Sequence, residues 1–292
     1  MSNIRKYMVS RYEYGRILEI DYSQLEIYVL AHLSGDKQLK RDLLSGEDLH
    51  AISAGRLFGP KWTPDDRKVA KQLSFQLQYG AGYKSMAATN NIDEELAKKF
   101  IENYYDRYPD VKKYQDGLAA RAKYERQRIG NKRTAKGYPA GTWKYVSETN
   151  RIYTFVETDA PDWMAHPKYG GASIHTSFSP TKVKNYPNQG MATGDIVPMM
   201  MGVLHRELIE WNNNHSRYGC DPVLFVNTVH DSFVFDCVTE KAALAWWNTA
   251  RIILKQTPKY CKDLLGFEFN MPLNCDAEIG ENWHDMKKIK DL

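Results

Sequence analysis

The chain has 292 residues, of which 42% are hydrophobic and 26% charged, and this composition excludes an intrinsically disordered protein. Its net charge of +4 permits a polyanionic partner without requiring one, and its four cysteines form no CxxC pair, which excludes a disulfide scaffold and a cysteine zinc site and favours a reducing compartment. No apolar run approaches the roughly 20 residues that cross a bilayer, so we expect no membrane partner.

The first predicted element is a buried strand over residues 16–21, in which aliphatic residues lead into Asp21. A helix follows to about Leu33, and Ser23 is its predicted N-cap. A carboxylate at this position is partly removed from water and needs a partner. One interpretation of Asp21 is a metal ligand, and the alternative is a carboxylate that stabilises the helix start.

Two helices are predicted next, over residues 48–58 and about 64–79. The second has a readable start, because Thr63 is a plausible N-cap, Pro64 suits the first helical position and Asp66 stands where the acid of a capping box belongs. Gly80 and Gly82 mark its end.

The helix over residues 64–79 carries Arg67, Lys71, Phe75 and Tyr79 at a strict four-residue spacing. Residues at i and i+4 lie on one face of a helix, so two cations and two aromatic rings form one stripe. Arg and Lys suit phosphate, and aromatic faces stack on any base. The alternative is an exposed amphipathic helix with partly buried rings.

The rest of the chain alternates between helical and irregular patterns. Residues 93–126 are helical with a break at Pro109, and residues 130–180 indicate loops and short strands on an irregular surface arm. A helix is predicted over 190–211, a hairpin over 223–238 with Asp231 near its tip, and a helix over 239–256. Asp231 could be a turn former or a second metal ligand beside Asp21, since Mg²⁺ needs only one or two carboxylates.

Five segments, in this order, resemble the motifs of family A DNA polymerases. The segment from Asp21 to Ser34 is similar to motif A, the Arg67-to-Gly80 stripe to motif B and Val229-His230-Asp231 to motif C. Residues 185–190 resemble the segment that contacts the primer-template minor groove, and residues 280–283 resemble the C-terminal signature. Some details resemble bacteriophage members, which implies a cytoplasmic protein that acts in viral replication within a bacterial host.

The resemblance implies an α+β fold in which an antiparallel palm sheet is backed by helices and a mainly helical fingers subdomain is inserted. We expect the palm in residues 1–44 and 186–292 and the fingers in 45–185. The implied activity is DNA-templated DNA synthesis, with nucleotidyl transfer from a dNTP to a primer 3′-OH by a two-metal mechanism that uses two Mg²⁺, for which Mn²⁺ can substitute.

The resemblance also implies a role for individual residues. Asp21, Asp231 and the Tyr22 carbonyl hold the metals, and Lys71 protonates the leaving pyrophosphate. The residues implied to bind the dNTP are Arg67, Lys71, Phe75, Tyr79, Gln24 and Glu26, of which Glu26 excludes a 2′-hydroxyl. The residues implied to bind DNA are Asn185, Gln189, His230, Lys182, Lys184 and Arg151. Alternatives stay open for Glu26, which forms a capping box with Ser23, and for His230 as a hairpin histidine.

Three positions depart from the family pattern. Tyr28 stands where an Arg is usual, Thr181 where an Arg often precedes the minor-groove Asn, and Ser232 where an acid commonly follows Asp231. The last change leaves two carboxylates rather than three near the metals. Few residues precede motif A, so we expect a split or truncated enzyme whose second polypeptide carries the thumb and perhaps a 3′–5′ exonuclease.

Two other functions remain as hypotheses. The absence of a thumb and the Ser232 departure fit a catalytically weak subunit that binds primer-template DNA within a replication complex. Single-subunit RNA polymerases share the palm chemistry, but Glu26 argues against RNA synthesis.

Overall fold

The computed structural model describes residues 3–128, 130–161, 164, 174–216 and 222–289. Its helices are α1 (Leu25–Ser34), α2 (Lys37–Leu44), α3 (Leu49–Phe58), α4 (Pro64–Gln78), α5 (Tyr83–Asn90), α6 (Glu94–Arg107), α7 (Pro109–Tyr124), α8 (Pro180–Gln189), α9 (Val197–His215), α10 (Glu240–Lys255) and α11 (Thr257–Tyr260). Its strands are β1 (Arg16–Tyr22), β2 (Thr142–Val146), β3 (Ile152–Val156), β4 (Thr158–Asp159), β5 (Thr176–Ser177), β6 (Val223–Val229), β7 (Ser232–Cys237), β8 (Cys275–Gly280) and β9 (Lys287–Lys288).

The chain folds into two compact units. The first unit is formed by both ends of the chain, Met1–Val29 and Gly190–Leu292, and the second by Leu30–Gln189. The first unit contains an antiparallel sheet with the strand order β6-β7-β1-β8-β9. The predicted α+β class with an antiparallel sheet is therefore confirmed, whereas the division into palm and fingers stays a prediction.

One face of the sheet is buried under helices of the first unit. Leu18, Ile20 and Tyr22 of β1 are fully buried and alternate with the residues of the other face. Helix α10 packs against β1, β6, β7 and β8, and its Trp246 meets Phe235 of β7 edge to face. Aromatic packing of this kind fixes which residues of β1 point into the core, and therefore which point out.

The second unit is mainly helical. Helices α3, α4, α5 and α6 pack on one another, and α7 packs against α6 and α8. Asp36 joins two helix starts, because Oδ1 accepts from the backbone N–H groups of Gln38 and Leu39 and Oδ2 accepts from Asp110 N at 3.0 Å. A buried carboxylate with several backbone donors holds the N-termini of α2 and α7 together.

The start of α4 is as its sequence predicts. Thr63 Oγ1 accepts from Asp66 N at 3.3 Å, and Asp66 Oδ2 accepts from Thr63 N at 2.7 Å, which is a complete capping box around Pro64. The helix ends before Gly80, whose φ of +78° is in the left-handed region. The hairpin of β6 and β7 also confirms its prediction, with His230 and Asp231 as the turn.

The predicted cap of α1 is wrong. Gln24 has φ +60°, so it cannot be a first helical residue, and the helix begins at Leu25. The Ser23 hydroxyl instead donates to Asp276 Oδ2 at 3.1 Å. Gln24 rather than Ser23 therefore adjoins the first helical turn.

The segment 130–180 contains the predicted short strands but is more than a surface arm. Trp143, Tyr145 and Phe155 of the β2–β3 hairpin form a buried cluster with Leu118 of α7 and Val183 of α8. Aromatic side chains at alternating strand positions carried this signal. Residues 129, 162–163 and 165–173 lie outside the described residues.

The predicted helix over 190–211 also differs. Residues Gly190–Ile196 form a wider, π-type turn, and α9 then runs to His215. None of the described helices combines the length and the apolar character that a membrane span requires. Three cysteines, Cys237, Cys261 and Cys275, are free thiols, and Cys220 lies outside the described residues.

Candidate active site

The sheet register brings two aspartates together. In the pairing of β1 with β7, Asp21 lies opposite Ser232, and Asp231 immediately precedes Ser232 in the turn. The two carboxyl groups share a hydrogen bond, and Tyr22 N donates to the Asp231 carbonyl at 3.3 Å. Residues separated by 210 positions in the sequence thus form one carboxylate pair.

Other acids line the same open pocket of about 390 Å³ in the first unit. Glu19 and Asp21 of β1 lie opposite Glu278 and Asp276 of β8, and residues two apart on a strand share one face. Sequence reasoning missed Glu19, Asp276 and Glu278. The signal that could have found them is the repeated acid-x-acid alternation, Glu19-x-Asp21 and Asp276-x-Glu278, in two strand segments.

The crowding of these acids shifts their titration. Partial removal from water and the charge of Asp231, with smaller contributions from Glu19 and Asp276, raises the pKa of Asp21 to about 7. Burial also raises the pKa of Asp231, against the opposing charge of His230. Lys288 Nζ lies 3.0 Å from Asp276 Oδ1, so that acid already has a cation.

These residues fit a divalent metal. In the part of the chain that the structure describes, no three His, Cys, Asp or Glu side chains converge into a preformed metal cage. Mg²⁺ does not need one, because it binds one or two carboxylates and fills its other positions with water and substrate phosphates. Two apposed carboxyl groups with raised pKa values suit a hard cation, which relieves their repulsion.

Backbone strain flanks the aspartate pair. Gln24 has φ +60° and His230 has φ +56°, conformations that residues other than Gly seldom adopt. Both side chains are exposed, and Glu26 in the first turn of α1 is half-buried. Such strain concentrates at functional sites, where surrounding structure maintains it. Tyr22 contributes only its backbone here, since its buried hydroxyl lies 2.6 Å from Thr257 Oγ1.

The stripe on α4 forms in the second unit as predicted. Lys71 is exposed and Arg67, Phe75 and Tyr79 are half-buried, whereas the opposite face, with Leu73 and others, is buried. Lys71 Nζ lies 5.7 Å from the Phe75 ring centroid. Two cations and two rings therefore occupy the accessible side of one helix.

Two residues of α3 and its cap adjoin this stripe, and sequence reasoning missed both. Asp48, the N-cap of α3, accepts from Arg67 Nε at 2.5 Å, and this hydrogen bond lowers the pKa of Asp48 although burial opposes it. The His50 ring lies 5.7 Å from the Phe75 ring. Burial, and then the charges of Lys71 and Arg67, lower the pKa of His50, which favours the neutral imidazole.

The model of DNA polymerase family A matches residues 1–285. The chain belongs to DNA polymerase family A. Among curated relatives, DNA polymerase I of Helicobacter pylori is 28% identical over 284 residues, which cover 97% of this chain and 27% of that protein. The thermostable DNA polymerase I of Thermus filiformis is 40% identical over 112 residues, covering 37% of this chain and 13% of that protein.

A solved structure shares the fold of this family A chain. The POL domain of Pol1 from M. smegmatis, in complex with DNA primer-template and dNTP, has a TM-score of 0.63 and 24% sequence identity, and the match covers 96% of this chain and 42% of that one. The family A chain spans about a quarter of the length of the Helicobacter pylori protein, as the 27% coverage shows.

Helix α8 of the family A chain carries four of the residues predicted to bind DNA, and their roles stay predictions. Asn185 is buried, and its Nδ2 donates to Gln189 Oε1 at 3.2 Å. Lys184 Nζ lies 3.5 Å from Asp116 Oδ1 and is mostly covered. Lys182 is exposed and Gln189 is half-buried.

The remaining predicted site residues lie in different places. Arg151 is exposed in the β2–β3 turn, immediately before β3. Tyr28, where an Arg was expected, is buried in the first unit with its hydroxyl bonded to Asn274, and burial raises its pKa. Tyr28 is therefore a packing residue.

The end of α4 approaches α8 closely. A Cβ at Gly80 would lie 2.9 Å from Thr181 Cα, and its φ of +78° adds strain, whereas a Cβ at Gly137, with φ +86°, meets nothing within 4 Å.

We expect Gly137→Ala to cost about 1–2 kcal/mol of stability from φ alone and Gly80→Ala about 1–3 kcal/mol more. Urea unfolding of both variants checks this, and equal losses would contradict the close approach.

Proposed function

We propose that the chain carries out DNA-templated DNA synthesis, transferring a nucleotidyl group from a dNTP to a primer 3′-OH. The observation that carries the proposal is the pair Asp21 and Asp231, which the pairing of β1 with β7 brings together, Asp21 on β1 and Asp231 in the turn before β7. Family membership supports it, as does the similarity to a POL domain whose structure contains primer-template and dNTP. The reaction joins the primer O3′ to the α-phosphorus and releases pyrophosphate.

Asp21, Asp231 and the Tyr22 carbonyl would hold two Mg²⁺ ions, for which Mn²⁺ can substitute. Such a metal pair supplies stabilisation of the attacking and leaving oxygens in an in-line displacement. The protein's contribution is to keep both carboxylates at one position on a rigid sheet. The raised pKa of Asp21, about 7, is consistent with a carboxyl whose ionised form awaits a cation.

The residues of α4 bind the nucleotide in this proposal. Arg67 and Lys71 contact the triphosphate, and Lys71 donates a proton to the leaving pyrophosphate. His50, neutral and beside Phe75, adds a donor to the phosphates. Phe75 packs on the incoming sugar and base, and Tyr79 stacks at the templating position. Gln24 adjoins the nucleotide from the turn before α1.

The remaining polar residues bind primer-template DNA. Gln189 donates to minor-groove acceptors, which are nearly the same for every correct pair, and Asn185 orients it through their hydrogen bond. Lys182 and Arg151, which are exposed, contact phosphates, and His230 supports the primer end. The minor-groove contacts test pairing geometry without reading sequence, whereas the phosphate contacts only position the DNA.

We expect Asp21→Asn and Asp231→Asn each to lower primer extension with Mg²⁺ by roughly a thousandfold or more, because each removes a metal ligand. The matched control is Asp263→Asn, an exposed acid elsewhere in the first unit, which should extend primers normally. Primer extension with a labelled primer measures all three. Full activity of either site variant would refute the metal assignment.

The same variants have a stability readout. Since the folded pKa of Asp21 is raised from 3.8 to about 7, ionisation destabilises the metal-free fold as pH rises through that window. Asp21→Asn should therefore melt at a higher temperature than the wild type at pH 8 in EDTA, with a smaller difference at pH 5.

DNA binding without any nucleotide addition by the wild type would favour the alternative of a catalytically weak binding subunit.

Glu26 decides between DNA and RNA synthesis. If its carboxylate excludes a 2′-hydroxyl, Glu26→Ala should lower the preference for dNTP over rNTP by about 10–100-fold, measured as the ratio of kcat/KM values. Glu13→Ala, an exposed acid of the first unit, is the control. A wild-type chain that incorporates rNTP as readily as dNTP would instead indicate RNA synthesis.

We also propose that a second polypeptide, carrying a thumb and perhaps a 3′–5′ exonuclease, binds the first unit during viral replication in the cytoplasm of a bacterial host. The support is a set of exposed apolar side chains in the N-terminal segment, among them Tyr7 at 83%, Val9 at 61% and Tyr14 at 74% relative exposure. Exposed apolar groups of this size are typical of protein contacts.

We expect the isolated chain to bind primer-template weakly, with Kd in the range of roughly 10⁻⁴–10⁻⁶ M at physiological salt, because in this proposal the second polypeptide supplies part of the phosphate contacts. The complex recovered with tagged chain from host cells should bind more tightly and lose that gain in Tyr7→Ser/Val9→Ser, but not in the control Tyr124→Ser, also exposed. Processive synthesis by the chain alone would contradict the proposal.

A further inference from the structure

Glu19 is a carboxylate beside the aspartate pair to which no role has been assigned. It lies two residues before Asp21 on the central strand β1, so both side chains are on the same face of the sheet. It lines the same pocket as Asp21 and Asp231 and is half-buried. An ionised carboxylate at such a position destabilises the folded state unless hydrogen-bond donors or a cation lie nearby.

Two donors fix the Glu19 carboxylate. The Ser232 hydroxyl donates to Oε1 at 2.8 Å, and the Trp283 indole N–H donates to Oε2 at 2.8 Å. Both donors belong to residues that are buried. A carboxylate has about four acceptor positions, so this anchoring sets its orientation and leaves acceptor capacity towards the pocket.

The anchoring residue Ser232 is also the position where the family pattern commonly has an acid. Ser232 lies directly opposite Asp21, and Glu19 is its diagonal neighbour on β1. The Glu19 side chain is long enough to extend from β1 to β7, where its Oε1 accepts a hydrogen bond from Ser232 Oγ. Ser232 carries no negative charge, but Glu19 supplies one beside it from the neighbouring strand β1.

Two of the described cationic residues, Arg5 and Lys288, line this pocket, and each has a contact of its own there. Lys288 pairs with Asp276, and the Arg5 guanidinium lies 4.5 Å from the Trp283 ring centroid. Glu19, Asp21 and Asp231 together therefore favour any divalent cation that reaches the pocket.

We propose that Glu19 is the third acidic group of the metal site and replaces the acid that Ser232 lacks. It is a positioning residue, which strengthens cation binding at Asp21 and Asp231 through its fixed negative charge without joining them in a preformed cage. The proposal rests on the proposed function for the identity of the metal site. Glu278 lies opposite Glu19 on β8 and lines the same pocket. Its substitution tests whether cation binding depends on the position of Glu19 or only on the negative charge of the pocket.

The experiment measures Mn²⁺ binding to the metal-free full chain, without DNA or nucleotide, by electron paramagnetic resonance. Glu19→Gln should weaken Mn²⁺ binding by roughly tenfold or more, as loss of a supporting group at a metal site typically does. Glu278→Gln, which removes the same charge from the same pocket, should weaken it less than about threefold. The transfer variant Glu19→Gln/Ser232→Glu should restore binding to within about threefold of the wild type.

Each outcome is decisive. Unchanged Mn²⁺ binding by Glu19→Gln, or an equal loss in Glu278→Gln, overturns the proposal, and failure of the transfer variant overturns the replacement of the acid at 232. Urea unfolding in EDTA shows that each variant is folded, and a misfolded Glu19→Gln is replaced by Ser232→Ala, which should lower Mn²⁺ affinity by releasing the carboxylate. Primer extension by the wild type is measured in parallel, and its absence would count against the proposed function alone.

Discussion

The first unit depends on holding like charges together. Antiparallel pairing of β1 with β7 and β8 places Glu19, Asp21, Asp276 and Glu278 on one face and leaves Asp231 in the adjoining turn. Partial removal from water and repulsion between these groups both raise the pKa of Asp21, so ionisation of this carboxyl opposes folding. The opposite face must therefore supply the stabilisation, through aliphatic and aromatic burial against α10.

That packing also sets the register. A slip of β1 by one residue would turn Asp21 into the core and Ile20 onto the pocket face. The core forbids this, since Leu18, Ile20 and Tyr22 are fully buried and the Tyr22 hydroxyl has a buried partner in Thr257. The same hydrophobic residues that stabilise the sheet thus decide where the carboxylates lie, which makes stability and site geometry inseparable in this unit.

Local signals were enough for some of this structure. The capping box of α4, the positive φ of Gly80 and the β6–β7 turn follow from residues close in sequence, and the structure has all of them. The contribution of β8 was not predictable in this way, because nothing local to Asp276 indicates that it pairs with Asp21. The start of α1 was mispredicted because Gln24 has a positive φ, and the Ser23 hydroxyl donates to Asp276, a long-range partner that local sequence does not reveal.

Two arginine–aspartate pairs of the second unit differ in how deeply they are buried. Arg107 donates to both oxygens of Asp42, and the Asp42 side chain is only 5% exposed, so removing either partner would leave a buried charge. Arg67 makes the same type of contact with Asp48, but both side chains are 39% exposed. An exposed pair contributes only about 0.2–1 kcal/mol, so an incoming phosphate can displace Asp48 at little cost. Arg107 therefore maintains the fold, whereas Arg67 is held in position by a contact weak enough to exchange for a triphosphate in the proposed reaction.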